Sequence, residues 1–150
     1  MNHNTNTKKL NNNGFSLVEL IIVVAIMAVL VGVLAPQYLQ YVEKSRYQTD
    51  ITMVDEVKNA IEVAIATDET LYAQATSSTG VVVNFSDTGA TVASGWSTLD
   101  TEISKVVTLT DCKLTSKTCK TTAPTIEIGS NAKVTMTYPK AANETDKVTK

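Results

Sequence analysis

The sequence is poor in histidine and aromatic residues and has no excess of basic charge. Its single histidine is His3, and phenylalanine, tryptophan and tyrosine together make up 5% of the 150 residues. A metal centre built on several histidines is therefore excluded. The formal net charge is −2, from 13 basic and 15 acidic residues. No basic surface favours binding to a nucleic acid.

The motifs of common enzyme classes are also missing. The sequence contains no Walker A motif, glycine-rich dinucleotide loop, zinc-ligand spacing or nucleophile elbow. Four acidic residues could contribute to a calcium site, but no ligand loop is recognisable around Asp87, Asp100, Glu102 or Asp111. We therefore expect a protein that is not an enzyme and that has no cofactor.

Apolar residues are plentiful but unevenly distributed. The stretch Ile21–Ala35 consists only of apolar residues and glycine, whereas the C-terminal half is rich in threonine, serine, lysine and aspartate. As a helix, residues 15–35 would span about 31 Å, close to the bilayer core of about 30 Å. Lys8 and Lys9 precede this segment, and the positive-inside tendency predicts that they stay cytoplasmic while the C-terminal domain lies outside.

Three details distinguish this segment from an ordinary secretory signal. Such a signal has an apolar core of about 7–15 residues followed by a small-residue cleavage site, whereas here Pro36 directly follows the comparable stretch, Gly32 to Ala35. Glu19 interrupts the apolar segment near its start, where a carboxylate in lipid is costly and needs a cation. Gly14 lies at the boundary between polar and apolar residues, where a protease at the cytoplasmic face of the membrane could reach it.

The run Gly14-Phe15-Ser16-Leu17-Val18-Glu19-Leu20 resembles the class III signal sequence of type IV pilins and pseudopilins. The resemblance covers Lys8 to about Tyr41. It implies that residues 1–14 are a leader, that prepilin peptidase cleaves between Gly14 and Phe15, and that Phe15 is then N-methylated.

The resemblance also implies a role for Glu19 in assembly. In a filament of packed helices, Glu19 of one subunit would pair with the α-amine of Phe15 in a neighbour. Paired charges offset part of each other's desolvation cost in an apolar bundle. The alternative is that Glu19 is an ordinary anchor residue at the membrane interface.

A helix break is predicted at the end of the apolar segment. Pro36 has no amide hydrogen, and its ring would clash with the carbonyl of Gly32, four residues earlier. Gly32 itself weakens a helix. We expect a helix kink or a locally unwound stretch here. The resemblance implies a segment that loses helicity on assembly, and a static bend is the alternative.

The helical pattern continues beyond Pro36 to about Ala66. Apolar residues recur at helical spacing; they are Met53, Val54, Val57, Ala60, Ile61, Ala64 and Ile65. This stripe predicts that the second half of the helix is amphipathic and packs against a small sheet.

The C-terminal half contains strand and turn signals. Residues 81–85 are β-branched and predict a strand, after a loop at 76–80. Residues from Leu99 onward predict a short helix capped by Ser97 or Thr98, with a strand through Val106 and Val107 as the alternative. Residues 125–128 and 133–138 predict a hairpin, in which alternate side chains face the helix. Residues 141–150 are predicted to be a frayed polar tail.

These elements predict an α+β fold. A long N-terminal α-helix, apolar in its first half and amphipathic in its second, packs on a small antiparallel β-sheet, in the lollipop arrangement of pilins. We expect three parts: the leader at 1–14, a transmembrane or filament-core helix at 15–35, and an extracellular globular domain at 36–150 that includes the second half of the helix.

Two cysteines, Cys112 and Cys119, lie close together in the polar half. On an exported domain such a pair is typical of a local disulfide, with free thiols or a metal site as the alternatives. In better-known bacterial pilins the cysteines often enclose a longer loop near the chain end. The short spacing here is a departure that leaves the subfamily open.

The resemblance implies a structural subunit of a type IV pilus. Such a subunit begins as a single-pass membrane protein and then polymerises with copies of itself into an extracellular filament for adhesion, motility or surface contact. Its partners would be prepilin peptidase and the assembly machinery of the inner membrane. One alternative is a pseudopilin of a type II secretion or competence system. Another is a monomeric, membrane-anchored binding domain.

Overall fold

The computed structural model describes residues 14–140 and, for the backbone alone, residues 147–149. The chain divides into two units, residues 1–39 and residues 40–150, which are taken in turn. The predicted leader lies outside the described residues except for Gly14. The fold of the described residues is α+β, and the predicted fold class is confirmed.

The first unit contains the start of helix α1, Leu17–Thr67. Its large apolar side chains are exposed, from 72% at Leu17 to 51% at Val24. The helix includes Pro36 and continues through Gly32 without interruption, so the locally unwound stretch is not present in this structure. Because proline has no amide hydrogen, it removes one hydrogen bond of the helix, and the helix nevertheless continues on both sides of Pro36. Whether the helix bends here stays a prediction.

The second unit begins with the later part of α1, which is amphipathic as predicted. One face is buried, and most of the predicted stripe lies on it; the buried residues are Tyr47, Asp50, Val54, Val57, Ala60, Ile61, Ala64 and Ile65. Met53 lies at the flank of this face and is only partly buried. The apolar members of the face share one core cluster with the side chains of the sheet, and this packing stabilises the later part of the helix.

Five antiparallel strands form one sheet in the order β2-β1-β3-β4-β5. Their bounds are β1 Gly80–Phe85, β2 Ala90–Val92, β3 Thr125–Ile128, β4 Val134–Pro139 and β5 Lys147–Thr149. The predicted strand at 81–85 and the predicted hairpin are confirmed as β1 and as β3 with β4. In the first part of β4 the alternation is as predicted, because Val134 and Met136 are buried while Thr135 between them is not; Tyr138, the next alternate residue, is only partly buried.

A register irregularity in β1 explains why two consecutive valines are in the core. The pairing of β1 with β3 shifts between Val81 and Val83, and both Val82 and Val83 are fully buried. In a regular strand successive side chains alternate between faces, and an extra residue changes that alternation locally. The run of three valines could not reveal which of them face inward.

The structure also contains helices that connect the strands. They are α2 Glu69–Ser77, α3 Ser97–Ile103, α4 Lys117–Thr121 and two 3₁₀ turns, Leu109–Asp111 and Ser130–Ala132. Helix α2 was not predicted, and it includes the first two residues, 76 and 77, of the loop expected at 76–80. Its N-cap is Asp68, whose carboxylate accepts hydrogen bonds from the amides of Thr70 and Leu71. This is a favourable cap because those amides have no partner within the helix.

Two further predictions need correction. Helix α3 forms where a short helix was predicted, but its N-cap is Trp96 and no side chain caps it; Val106 is 72% exposed and is not in a strand. The predicted frayed tail is wrong for residues 147–149, which form β5 and pair with β4. Backbone pairing orders these residues, a contact that their polar composition does not signal. Residues 141–146 and 150 lie outside the described residues.

Candidate processing and assembly site

The predicted cleavage site lies in non-helical backbone immediately before α1. Gly14, Phe15 and Ser16 precede the first helical residue, Leu17. Phe15 is 92% exposed, and a Cβ placed on Gly14 would meet nothing within 4 Å. Exposed, non-helical backbone of this kind is where proteases act most readily. The Gly14–Phe15 bond is therefore accessible in the described structure.

Ser16 and Glu19 form a reciprocal cap at the start of α1. The amide of Ser16 donates to Oε2 of Glu19 at 3.0 Å, and the amide of Val18 donates to Oγ of Ser16 at 3.3 Å. The arrangement is related to the capping box, in which a serine and a glutamate three residues later satisfy amides that the helix leaves unpaired; here the serine hydroxyl accepts from Val18 instead of from the glutamate amide. The sequence analysis missed this role of Ser16, although the pattern Ser-x-x-Glu was visible.

The position of Glu19 also suits the electrostatics of the helix. A carboxylate in the first turn interacts favourably with the positive end of the helix dipole. Among the described residues, Glu19 makes no salt bridge. The helix start thus holds one carboxylate in a fixed place, one turn from the residue that cleavage would make the N-terminus.

The other predicted site residues do not join this cluster. Gly32 and Pro36 lie further along α1, in its exposed apolar part. Cys112 and Cys119 lie in the second unit, both buried. The structure therefore contains one candidate site at the helix start and, in a different unit, a separate cysteine pair.

Both cysteines are free thiols in this structure, and the predicted disulfide between them stays a prediction. Cys112 ends the first 3₁₀ turn, and its Sγ lies 3.6 Å from the carbonyl oxygen of Thr108. Cys119 lies in α4, where its amide donates to Oγ of Ser116. Each thiol is therefore placed by its own short helix, which is a constraint that the spacing of the two residues does not reveal.

Burial makes both thiols poor nucleophiles. Burial raises the pKa of Cys119 to about 11, with a smaller contribution from the nearby carboxylate of Asp50. Burial also raises the pKa of Cys112, and the charges of Asp111 and Glu56 act in the same direction. Because the thiolate is the reactive form, both residues are unreactive while the surrounding structure is closed.

No metal site is found in the part of the chain that the structure describes. Within it, no group of three or more histidine, cysteine, aspartate or glutamate residues could hold a metal ion. The four acids considered for calcium therefore do not gather into such a group.

Comparison with known proteins bears on the helix start. The family described as "Prokaryotic N-terminal methylation motif" matches residues 9–35. Two curated proteins of Pseudomonas aeruginosa, each named "Fimbrial protein", are 36% identical to this chain over 63 residues. That match covers 42% of this chain and 41% of each relative, so the chain spans about two fifths of the length of the curated relatives. No solved structure matches the chain significantly.

The similarity to the methylation-motif family thus lies at the start of the exposed apolar helix. The matched residues contain the predicted cleavage position, the acid at Glu19 and the apolar run. Helix α1 is long and apolar enough to cross a membrane.

Proposed function

We propose that this protein is a structural subunit of a type IV pilus, which polymerises through its N-terminal helix into an extracellular filament. The observation that carries the proposal is the exposed apolar part of α1, which begins with the methylation motif. The domain from residue 40 onward would then form the outer surface of the filament, for adhesion, motility or surface contact.

The exposed apolar helix cannot remain in water. Burying one large aliphatic side chain contributes roughly 1.5–3 kcal/mol, and most of the side chains between Leu17 and Leu39 are apolar and exposed. Exposed apolar patches of this size mark a membrane or protein interaction surface. We propose that lipid covers this surface first and that helices of other subunits cover it after assembly.

Glu19 gives that assembly a register. A carboxylate among apolar helices is costly unless a cation pairs with it. Cleavage of the Gly14–Phe15 bond would create such a cation, the α-amine of Phe15. We propose that Glu19 keeps its hydrogen bond from Ser16 within its own chain and pairs with the Phe15 amine of a neighbouring subunit.

Processing is tested by determining the mature N-terminus. Protein recovered from cells is analysed by intact mass and by mass spectrometry of its terminal peptide. We expect a chain that begins at Phe15 and is heavier than its sequence by one methyl group. A chain that retains Met1, or one that begins after Ala35, would contradict the proposal and favour an anchored or secreted domain.

Assembly is tested with Glu19→Ala, and Glu56→Ala serves as the matched control. Glu56 is also an exposed glutamate of α1, and among the described residues it forms no salt bridge. We expect Glu19→Ala to abolish or greatly reduce the yield of sheared filaments while the protein still inserts into the membrane. We expect Glu56→Ala to assemble at the wild-type level. Wild-type filament yield from Glu19→Ala would refute the pairing and would favour a monomeric, anchored binding domain.

The same N-terminus could serve a pseudopilin of a type II secretion or competence system, because the methylation motif belongs to the helix start and not to the domain. Electron microscopy and a deletion strain separate the two. Long surface fibres that contain this protein would favour the pilus. Loss of secretion or of DNA uptake without loss of surface fibres would favour the pseudopilin.

A further inference from the structure

One short segment of the second unit is held mainly by polar contacts. We define the flap as residues 115–122, which contain helix α4. Immediately before the flap, the amide of Leu114 donates to the carbonyl of Ser86 at 3.0 Å. Shortly after it, Thr125 begins strand β3. Both ends of the flap are therefore tied to the sheet.

Asp50 of helix α1 binds the first two residues of the flap. Its carboxylate accepts hydrogen bonds from the amide of Thr115 at 3.0 and 3.1 Å, from the hydroxyl of Thr115 at 2.8 Å and from the amide of Ser116 at 2.8 Å. Asp50 is 1% exposed. Hydrogen bonds to a charged group contribute more to stability than bonds between neutral groups. This carboxylate is the main polar anchor of the flap.

The other contacts of the flap are weaker. Glu43, two turns before Asp50 on α1, accepts a hydrogen bond from the amide of Thr118 at 3.2 Å. Among residues 115–122, the only side chain in the hydrophobic core is that of Cys119. The other buried residue of the flap, Ser116, is polar. With so little apolar burial, the flap has a lower cost of opening than the sheet and α1 beside it.

We propose that the flap opens as a local unit, that Asp50 is the latch that keeps it closed, and that Cys119 becomes accessible to thiol reagents only when the flap opens. Cys112 lies outside the flap, before the tie at Leu114, and stays buried when the flap opens. The latch therefore determines which of the two thiols can be modified in the folded protein.

The test uses the full-length protein in detergent micelles and the reagent N-ethylmaleimide. Labelling rates of Cys112 and Cys119 are measured separately by peptide mass spectrometry in the wild type, in Asp50→Asn and in Asp55→Asn. Asp55 is the matched control, since it lies on the same helix and forms no salt bridge among the described residues. We expect Asp50→Asn to accelerate labelling of Cys119 about tenfold or more and to leave Cys112 unchanged. We expect Asp55→Asn to change neither rate.

Removing the charge of Asp50 could also make Cys119 more reactive without any opening, so hydrogen exchange provides a second readout. The amides of Thr115, Ser116, Thr118 and Cys119 are bonded in the closed flap. We expect a peptide that contains them to exchange faster in Asp50→Asn, while a peptide from β4 does not. Faster labelling without faster exchange would overturn the proposal, as would equal acceleration of both cysteines or of neither.

If Asp50→Asn does not accumulate as folded protein, the local opening of the flap is tested on the wild type alone. Labelling of each cysteine is measured in low concentrations of urea, because the dependence on urea reports how much surface opens. A smaller urea dependence for Cys119 than for Cys112 is expected for a local flap. Equal dependences would mean that both thiols are exposed by the same global unfolding, which overturns the proposal.

Discussion

The two parts of helix α1 treat the same kind of side chain in opposite ways. Between Leu17 and Leu39 the large apolar side chains are exposed, whereas in the later part Val54, Val57, Ile61 and Ile65 form one side of a core. Both parts are helical and both are rich in valine and isoleucine. The two parts differ in what covers their apolar side chains. The later part packs on its own sheet, and the earlier part has no packing partner among the described residues.

The acidic residues of the two parts differ in the same way. Glu19 is exposed and bonds only to the start of its own helix, while Asp50 is buried and joins the helix to a distant segment of the chain. A carboxylate can thus be a helix cap in one part and a tertiary anchor in the other. Because both residues are acidic, residue type does not distinguish the two roles. The surroundings of each carboxylate in the folded chain distinguish them.

The largest effect is expected when one isoleucine in each part of helix α1 is replaced by alanine. Ile61→Ala would leave a cavity in the core, and we expect it to lower the free energy of unfolding of the domain by about 2–5 kcal/mol. We expect Ile22→Ala to leave that free energy unchanged, since Ile22 is 52% exposed. Urea unfolding of the full-length protein in detergent, followed by the fluorescence of the buried Trp96, measures both. An equal decrease in the free energy of unfolding in the two variants would contradict the difference between the two parts of the helix.

A smaller effect is expected from a buried hydroxyl on the later part of the helix. The hydroxyl of Tyr47 donates to the carbonyl of Pro139 at 2.6 Å in a buried position. Tyr47→Phe leaves that carbonyl without this donor, and we expect a loss of about 1–3 kcal/mol. Tyr41→Phe is the control, because Tyr41 is 71% exposed. A loss of stability in the control as large as that in Tyr47→Phe would show that the buried bond is not the cause.

The pH dependence of stability separates the buried carboxylate from the exposed ones. Burial opposes ionisation of Asp50, but the hydrogen bonds from Ser116 and Thr115 outweigh it and hold its pKa below the ordinary value of 3.8. A carboxyl whose pKa is lowered by folding contributes stability above its unfolded pKa and loses it as pH falls through the folded pKa.

We therefore expect the wild type to lose stability below about pH 4 more steeply than Asp50→Asn does. Urea unfolding at a series of acidic pH values checks this expectation. The comparison of the two proteins is needed because folding also lowers the pKa of Asp68, mainly through its bond from the hydroxyl of Thr70. Parallel curves for the two proteins would mean that Asp50 does not contribute to the acid dependence.

The smallest effect is expected at an exposed cap. Asp68→Ala removes the acceptor for the amides of Thr70 and Leu71 at the start of α2. We expect faster hydrogen exchange in the first turn of α2 and little change in global stability. Asp68→Asn, which keeps a side-chain acceptor at the cap, should stay close to the wild type. Unchanged exchange in Asp68→Ala would show that the cap does not hold this turn.

The elements that could be predicted are those with a strong local pattern. The apolar run and the 3- and 4-residue spacing predicted α1, and two β-branched runs around a turn predicted β3 and β4. Helix α2 and strands β2 and β5 were missed, since each is short and lacks a strong period. The disulfide between Cys112 and Cys119 stays a prediction, because the spacing of two cysteines does not say where each side chain points.

By itself the sequence determined the helix, the motif at its start and the contrast between its apolar and amphipathic parts, because these depend on side chains close together along the chain. Only the tertiary structure decided that Asp50 is a buried anchor, that Val82 and Val83 are both inside, and that Cys112 and Cys119 are separate buried thiols. Those outcomes depend on contacts between residues far apart in the chain. Asp50 and Ser116, for example, are 66 residues apart, and no local pattern encodes the contact between them.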